Sequence, residues 1–146
     1  MTTPPLSSET VHASCVAIGG RAVLIGGRSG SGKSDLALRL IERGADLVSD
    51  DYTLVRRVDG RLLATAPETI AGRIEMRGVG ILRFPAQSDV PVALFVDLDS
   101  SPQRLPEAGE ARLIAGVAVP VVGLSGLEAS APLKLEAALK LFGSST

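Results

Sequence analysis

Two apolar runs open the readable part of the chain, HASCVAI from His12 to Ile18 and RAVLIGG from Arg21 to Gly27. Each has the length and apolar content of a buried strand. Gly19-Gly20 between them suits a two-residue hairpin turn, whose central residues need positive φ. With that turn, paired residue numbers sum to 39, so Ile18 faces Arg21, Cys15 faces Leu24 and His12 faces Gly27. From residue 33 the period changes. Leu36, Ala37, Leu40 and Ile41 recur at helical spacing and predict a helix over 33–43, with Gly44 just past its end.

Further along, DLVS reads as a short strand running into Asp50-Asp51. TLVRRV and RLLAT flank Asp59-Gly60, a second hairpin turn. RIEM, ILRF and VALFVDL are three more strands, with Arg77-Gly78-Val79-Gly80 separating the first two. Residues 100–111 are polar and rich in Pro and Gly, the composition of a loop. Residues 131–142 read as a closing helix, with Ser130 as cap, Pro132 in the first turn and Gly143 as stop. MTTPPLSSET reads as a flexible leader, and no internal repeat is present. These elements predict an α/β domain, rich in strands and with few helices.

At 146 residues the chain has the size of one domain with a proper core. A formal net charge of -1, with no block of like charges, carries no electrostatic footprint for nucleic acid. The longest apolar stretch, Leu113 to Leu124, is too short to span a membrane and contains Pro120. No basic residue precedes Arg21, unlike a signal peptide, and the single cysteine, Cys15, fits a reducing compartment. The expectation is a soluble cytoplasmic domain.

Between the second strand and the first helix, Gly27, Arg28, Ser29, Gly30, Ser31, Gly32, Lys33 and Ser34 fit G-x-x-x-x-G-K-[ST], the phosphate-binding P-loop. Glycines let successive backbone N–H groups converge on phosphate oxygens, and the helix adds its positive end. Lys33 supplies a mobile cation for the β- and γ-phosphates, and the Ser34 hydroxyl suits Mg²⁺. Chance yields about 0.005 such matches in a chain of this composition, so an accidental match is set aside. The expected ligand is a nucleoside triphosphate with Mg²⁺.

Phosphoryl transfer also needs carboxylates. Asp97 and Asp99 end one apolar run, and Asp50-Asp51 end another. In an ordinary P-loop NTPase Asp97 would be chosen. Adjacent carboxylates raise each other's proton affinity, however, so one of Asp50 and Asp51 suits a general base. The hairpin register brings His12, the only histidine, to the entrance of the P-loop. Glu75 precedes Arg77 and a Gly-x-Gly break that admits close approach of a ligand.

Together, His12, GRSGSGKS, RGADLVSDD and IEMRGVGIL resemble the catalytic domain of HPr kinase/phosphorylase, the bacterial enzyme that phosphorylates a serine of the phosphocarrier HPr. The resemblance covers roughly residues 12–122. It implies a β-rich P-loop domain akin to phosphoenolpyruvate carboxykinase, and it divides the chain into a leader, 1–11, and a P-loop kinase catalytic domain, 12–146. It implies that Lys33 binds phosphate, that Ser34 and Glu75 hold Mg²⁺, and that Asp51 deprotonates the acceptor serine with Asp50 and His12 beside it. Arg104 is similar to the family's catalytic arginine, in a loop that is shorter here. Hexameric assembly is implied as well.

Two departures stand out. Only eleven residues precede His12, which resembles the short form without a separate N-terminal domain. The family's arginine-bearing P-G-R-N segment, associated with the phosphorylase reaction, is replaced by VPVVGLSGLEAS. The expected function is therefore an ATP- and Mg²⁺-dependent kinase of HPr with weak or absent phosphorylase activity. A P-loop kinase of a small metabolite and a non-catalytic ATP-sensing regulator are the alternatives; the Asp50-Asp51 pair disfavours the sensor, which needs no base.

Overall fold

A computed structural model describes residues 7–100 and 110–144. Its strands are β1 (Ser8–Val11), β2 (Ala13–Ile18), β3 (Arg21–Gly26), β4 (Asp46–Ser49), β5 (Thr53–Val58), β6 (Arg61–Thr65), β7 (Arg73–Met76), β8 (Gly80–Arg83), β9 (Val90–Asp97), β10 (Ala111–Ile114) and β11 (Val117–Gly123). The helices are α1 (Lys33–Glu42) and α2 (Ala131–Phe142), with a 3₁₀ turn over Glu68–Ile70. Nine strands form one mixed sheet, seven of them in the order β1-β5-β6-β9-β3-β2-β4. β11 shares one edge of β9 with β6: Pro91 pairs Leu63 near one end, and Phe95 pairs Val121 near the other. β10 pairs β11, and β7 with β8 forms a separate ribbon. The β-rich α/β class is as expected.

The hairpin β2–β3 has the predicted register, including Cys15↔Leu24 and Ile18↔Arg21. Alternation along these central strands sorts the core onto two faces. Val16, Val23 and Ile25 join Leu36 and Leu40 of α1 and Leu135 and Leu139 of α2. Cys15, Ala17, Ala22 and Leu24 point the other way, toward Val55, Leu62 and Val119. Complete burial of a leucine side chain contributes about 2 kcal/mol, so this two-sided packing is what holds the hairpin at the centre.

Strand direction then gathers the chemistry. β9 is parallel to β3, β11 is parallel to β9, and β2 is antiparallel to both β3 and β4. The C-terminal ends of β3, β4, β9 and β11 consequently meet at one edge, with the start of β2. The glycine loop, Asp50-Asp51, Asp97–Asp99 and the segment after Gly123 all leave the sheet there.

Two expectations need correction, and one hairpin was not anticipated. Residues 8–11 of the anticipated flexible leader form β1, paired antiparallel with β5 from Ser8↔Arg56 to Val11↔Thr53. Only Val11 of that strand is buried, so its backbone, rather than a hydrophobic pattern, fixes it. His12 is not part of the hairpin ladder, whose last pair is Ala13↔Gly26, but lies at a bend one step beyond it. The apolar stretch after residue 111 is a hairpin, β10–β11, turning at Ala115 and Gly116, whose φ values are +47° and +81°. Alanine rarely takes positive φ, which hid that turn from the sequence.

Candidate active site

The glycine loop runs from the end of β3 into α1. Gly26 has no room for a side chain, because a Cβ there would clash with the tip of the Phe95 ring. Gly32 caps α1 in the left-handed region (φ +98°) and supplies no side-chain hydrogen bond to it. The first N–H groups of α1 therefore have no capping side chain, the arrangement that receives an anion. Lys33 is buried along its length. Its Nζ donates to Gly27 O at 2.7 Å and Arg28 O at 3.4 Å, and lies 3.7 Å from Asp51 Oδ1.

The two adjacent aspartates occupy different environments. Asp50 is nearly buried. It accepts from Ser34 Oγ at 2.6 Å and Ser14 Oγ at 3.0 Å through Oδ1, and from the Glu75 N–H at 3.3 Å through Oδ2. Asp51 is half exposed, with Oδ1 3.0 Å from His12 Nε2. Its φ of +64° is in the left-handed region, and Tyr52 N–H closes a tight turn onto Asp50 O at 2.7 Å. The turn is anchored from β2 and from its own ends. Asp51 N–H donates to Ser14 Oγ, Ser49 Oγ donates to Tyr52 O, and Thr53 Oγ1 donates to Ala13 O. The Tyr52 ring stacks on His12, centroids 4.9 Å apart.

A cleft of about 410 Å³ lies between the glycine loop, Asp50, Asp51, the segment Glu75–Arg77 and Leu127. Leu127 abuts Gly32: a Cβ added to Gly32 would come within 2.8 Å of Leu127 Cδ2. Among the described residues, no three His, Cys, Asp or Glu side chains converge as a metal cage. The cleft lining does include oxygen-bearing side chains, among them Ser34, whose hydroxyl meets Asp50, and Glu75. That set fits Mg²⁺, which takes one or two carboxylates and completes its shell with phosphate oxygens and water.

Asp97 stands elsewhere. Its Oδ1 accepts from Asp99 N–H and its Oδ2 from Ser100 Oγ, while Arg112 Nη2 lies 3.8 Å away and stacks over Phe95. Asp99 accepts from the Arg28 N–H at 2.9 Å, tying the glycine loop to the end of β9. These residues border a second pocket of about 300 Å³ that also includes His12 and Gly27. Arg104 lies outside the described residues.

The structure thus brings His12, Lys33, Ser34, Asp50 and Asp51 together, with Glu75 at the same cleft. Sequence reasoning missed Ser14, Tyr52 and the tether through Asp99. Ser14 is one small polar residue inside an apolar strand, and only the strand pairing shows that it meets Asp50.

The chain is similar to known proteins along both its sequence and its fold. An HPr kinase/phosphorylase of Clostridium tetani is 42% identical over 82 residues, 56% of this chain and 27% of that protein. One from Peptoclostridium acidaminophilum is 49% identical over 76 residues, 51% of this chain and 25% of the relative. The chain thus spans about a quarter of the length of these curated relatives. The solved Hpr(Ser) kinase/phosphatase from Coxiella burnetii superposes with a TM-score of 0.79 at 27% identity, covering 90% of this chain and 94% of that one. Residues 6–88, which carry the glycine loop, both aspartates and Glu75, match the HPr Serine kinase C-terminal domain, and the chain belongs to that family.

Proposed function

We propose that this chain is a cytoplasmic ATP- and Mg²⁺-dependent protein-serine kinase whose acceptor is a serine of the phosphocarrier HPr. The observation that carries the proposal is the position of Asp51, a half-exposed carboxylate between His12 and Lys33 at the mouth of the phosphate loop. A nucleotide-binding regulator has no use for a base there. The loop amides and Lys33 bind and orient the triphosphate, in the manner of P-loops generally. Ser34, Asp50 and Glu75 hold Mg²⁺, which when bound neutralises charge on the phosphates. Asp51 takes the proton of the acceptor hydroxyl, and His12, itself stacked on Tyr52, keeps that carboxylate aimed. The two aspartates thereby divide the work, Asp50 toward the metal and Asp51 toward the acceptor. Arg104 is the remaining catalytic candidate by family resemblance, and a homo-oligomer, a hexamer by the same resemblance, is the proposed assembly.

Phosphorylase activity is proposed to be weak or absent. Capture of free orthophosphate beside a phosphoserine calls for extra cations. Residues 120–127, PVVGLSGL, carry none, and Leu127 is the residue of this segment on the cleft wall. Transfer of labelled phosphate from ATP to purified HPr, run beside a panel of small metabolites, tests the reading. Mg²⁺-dependent phosphoserine in HPr is expected; labelling of a metabolite instead overturns it.

A further inference from the structure

We infer that Ser14 is a positioning residue that sets the orientation of Asp51 and couples it to Asp50, an inference that rests on the kinase reading above. The ladder between β2 and β4 ends at Cys15↔Ser49, so Asp50 and Asp51 leave the sheet without a strand partner. Ser14 takes over where the ladder stops. Its hydroxyl donates to Asp50 Oδ1 at 3.0 Å and accepts the Asp51 N–H at 3.0 Å, so one oxygen holds one aspartate by its side chain and the next by its backbone.

The surroundings make this a choice of chemistry rather than of packing. Ser14 is fully buried and pairs with Ile25 on the helix-bearing face, in a row with Val16 and Val23. A small apolar side chain would serve that core equally well. The hydroxyl has its use at the other end, where Asp51 adopts φ +64° in a tight turn. Aspartate enters that region more readily than most residues, still at a cost that a restraint on the backbone offsets. The bond from Asp51 N–H to Ser14 is a direct restraint on that backbone, and the direction of the Asp51 carboxylate toward His12 and Lys33 follows from it.

The only histidine of the chain makes the inference testable without any substrate. Because His12 Nε2 is 3.0 Å from Asp51 Oδ1, the nuclear magnetic resonance signals of its imidazole report where Asp51 is. Ser14→Ala is expected to move those signals toward their positions in Asp51→Asn. Ser14→Thr keeps the hydroxyl and is expected to retain the wild-type spectrum; Ser14→Val, of the same shape without it, is expected to behave as Ser14→Ala. In the kinase assay, Ala and Val are expected to lower kcat about a hundredfold, the cost of a reacting group displaced by about an ångström, with KM for ATP unchanged. His12 signals that stay in place in Ser14→Ala, or Thr and Val variants that behave alike, overturn the positioning role. Ser14→Ala adds no atom and decides the matter if the larger side chains do not fold. The spectra need no phosphoryl transfer, so a wild-type chain inactive toward HPr refutes the kinase reading and leaves the Ser14 test standing.

Discussion

His12 Nε2 and Asp51 Oδ1 lie 3.0 Å apart although 39 residues separate them in the chain. The strand pairing β3–β2–β4 creates this contact: one turn beyond each end of the ladder, the bend at His12 and the turn at Asp51 face each other. Since the same carboxylate oxygen is 3.7 Å from Lys33 Nζ, the lysine of the glycine loop and the candidate base share one corner of the cleft.

Asp51→Asn should leave nucleotide binding no weaker, because it removes the negative partner of Lys33. The rate of transfer to HPr should fall by about two to four decades, the usual worth of a positioned base. Single-turnover kinetics with a separate ATP-binding titration check both halves. Near-normal transfer would move the base to Asp50.

Lys33→Ala is expected to abolish phosphoryl transfer, and Lys33→Arg should not restore it. The lysine is packed along its length and reaches two loop carbonyls through a single amine, a position a branched planar guanidinium does not reproduce. Circular dichroism and transfer assays on both variants decide this; substantial activity in a folded Lys33→Ala protein contradicts the phosphate-loop assignment.

Mg²⁺ dependence should separate the two carboxylates proposed for the metal. Asp50→Asn is expected to shift the Mg²⁺ titration of activity by about tenfold or more, since its carboxylate directly meets the Ser34 hydroxyl at 2.6 Å. Glu75→Gln should shift it in the same direction by less. An unchanged titration in Glu75→Gln removes Glu75 from the metal site.

Cys15 offers a probe of stability. It is fully buried at the centre of the sheet, and burial pushes its thiol well above the ordinary cysteine range, so thiolate is scarce. The native protein should therefore resist a disulfide reagent such as DTNB and react only through opening. Saturating Mg²⁺-ATP at about a hundred times its Kd should slow the reaction about a hundredfold if that opening also releases nucleotide. Rapid labelling that ATP does not slow would show that the hairpin opens on its own.

Phosphorylated HPr incubated with the protein, Mg²⁺ and millimolar orthophosphate should release pyrophosphate far more slowly than the forward reaction consumes ATP. Comparable rates in the two directions would show that the segment containing Leu127 does not limit phosphate capture. Introducing Leu127→Arg is the converse experiment and should raise the reverse rate.

The hairpin register, the glycine loop and the first helix were legible because each is written in neighbouring residues. Gly19-Gly20 sets β2 against β3, and the 3.6-residue period from Leu36 to Ile41 marks α1 to within a residue. β1 was not legible, since three of its four side chains are exposed and its pairing with β5 runs through backbone groups common to every sequence. The turn at Ala115 was hidden by a residue that rarely takes positive φ.

For the site, the chain by itself determined the inventory: a phosphate loop, two adjacent aspartates, one histidine and a glutamate before a glycine turn. Only the tertiary structure decided where each of these groups is placed. Asp50 and Asp51 are chemically the same, yet one is buried against Ser34 and Ser14 and the other opens toward His12 and Lys33. The physical reason is that periodicity and turn chemistry record local burial and dihedral angles. Which strand ends meet, and so which carboxylate faces which hydroxyl or amine, depends on pairings between residues far apart in the chain.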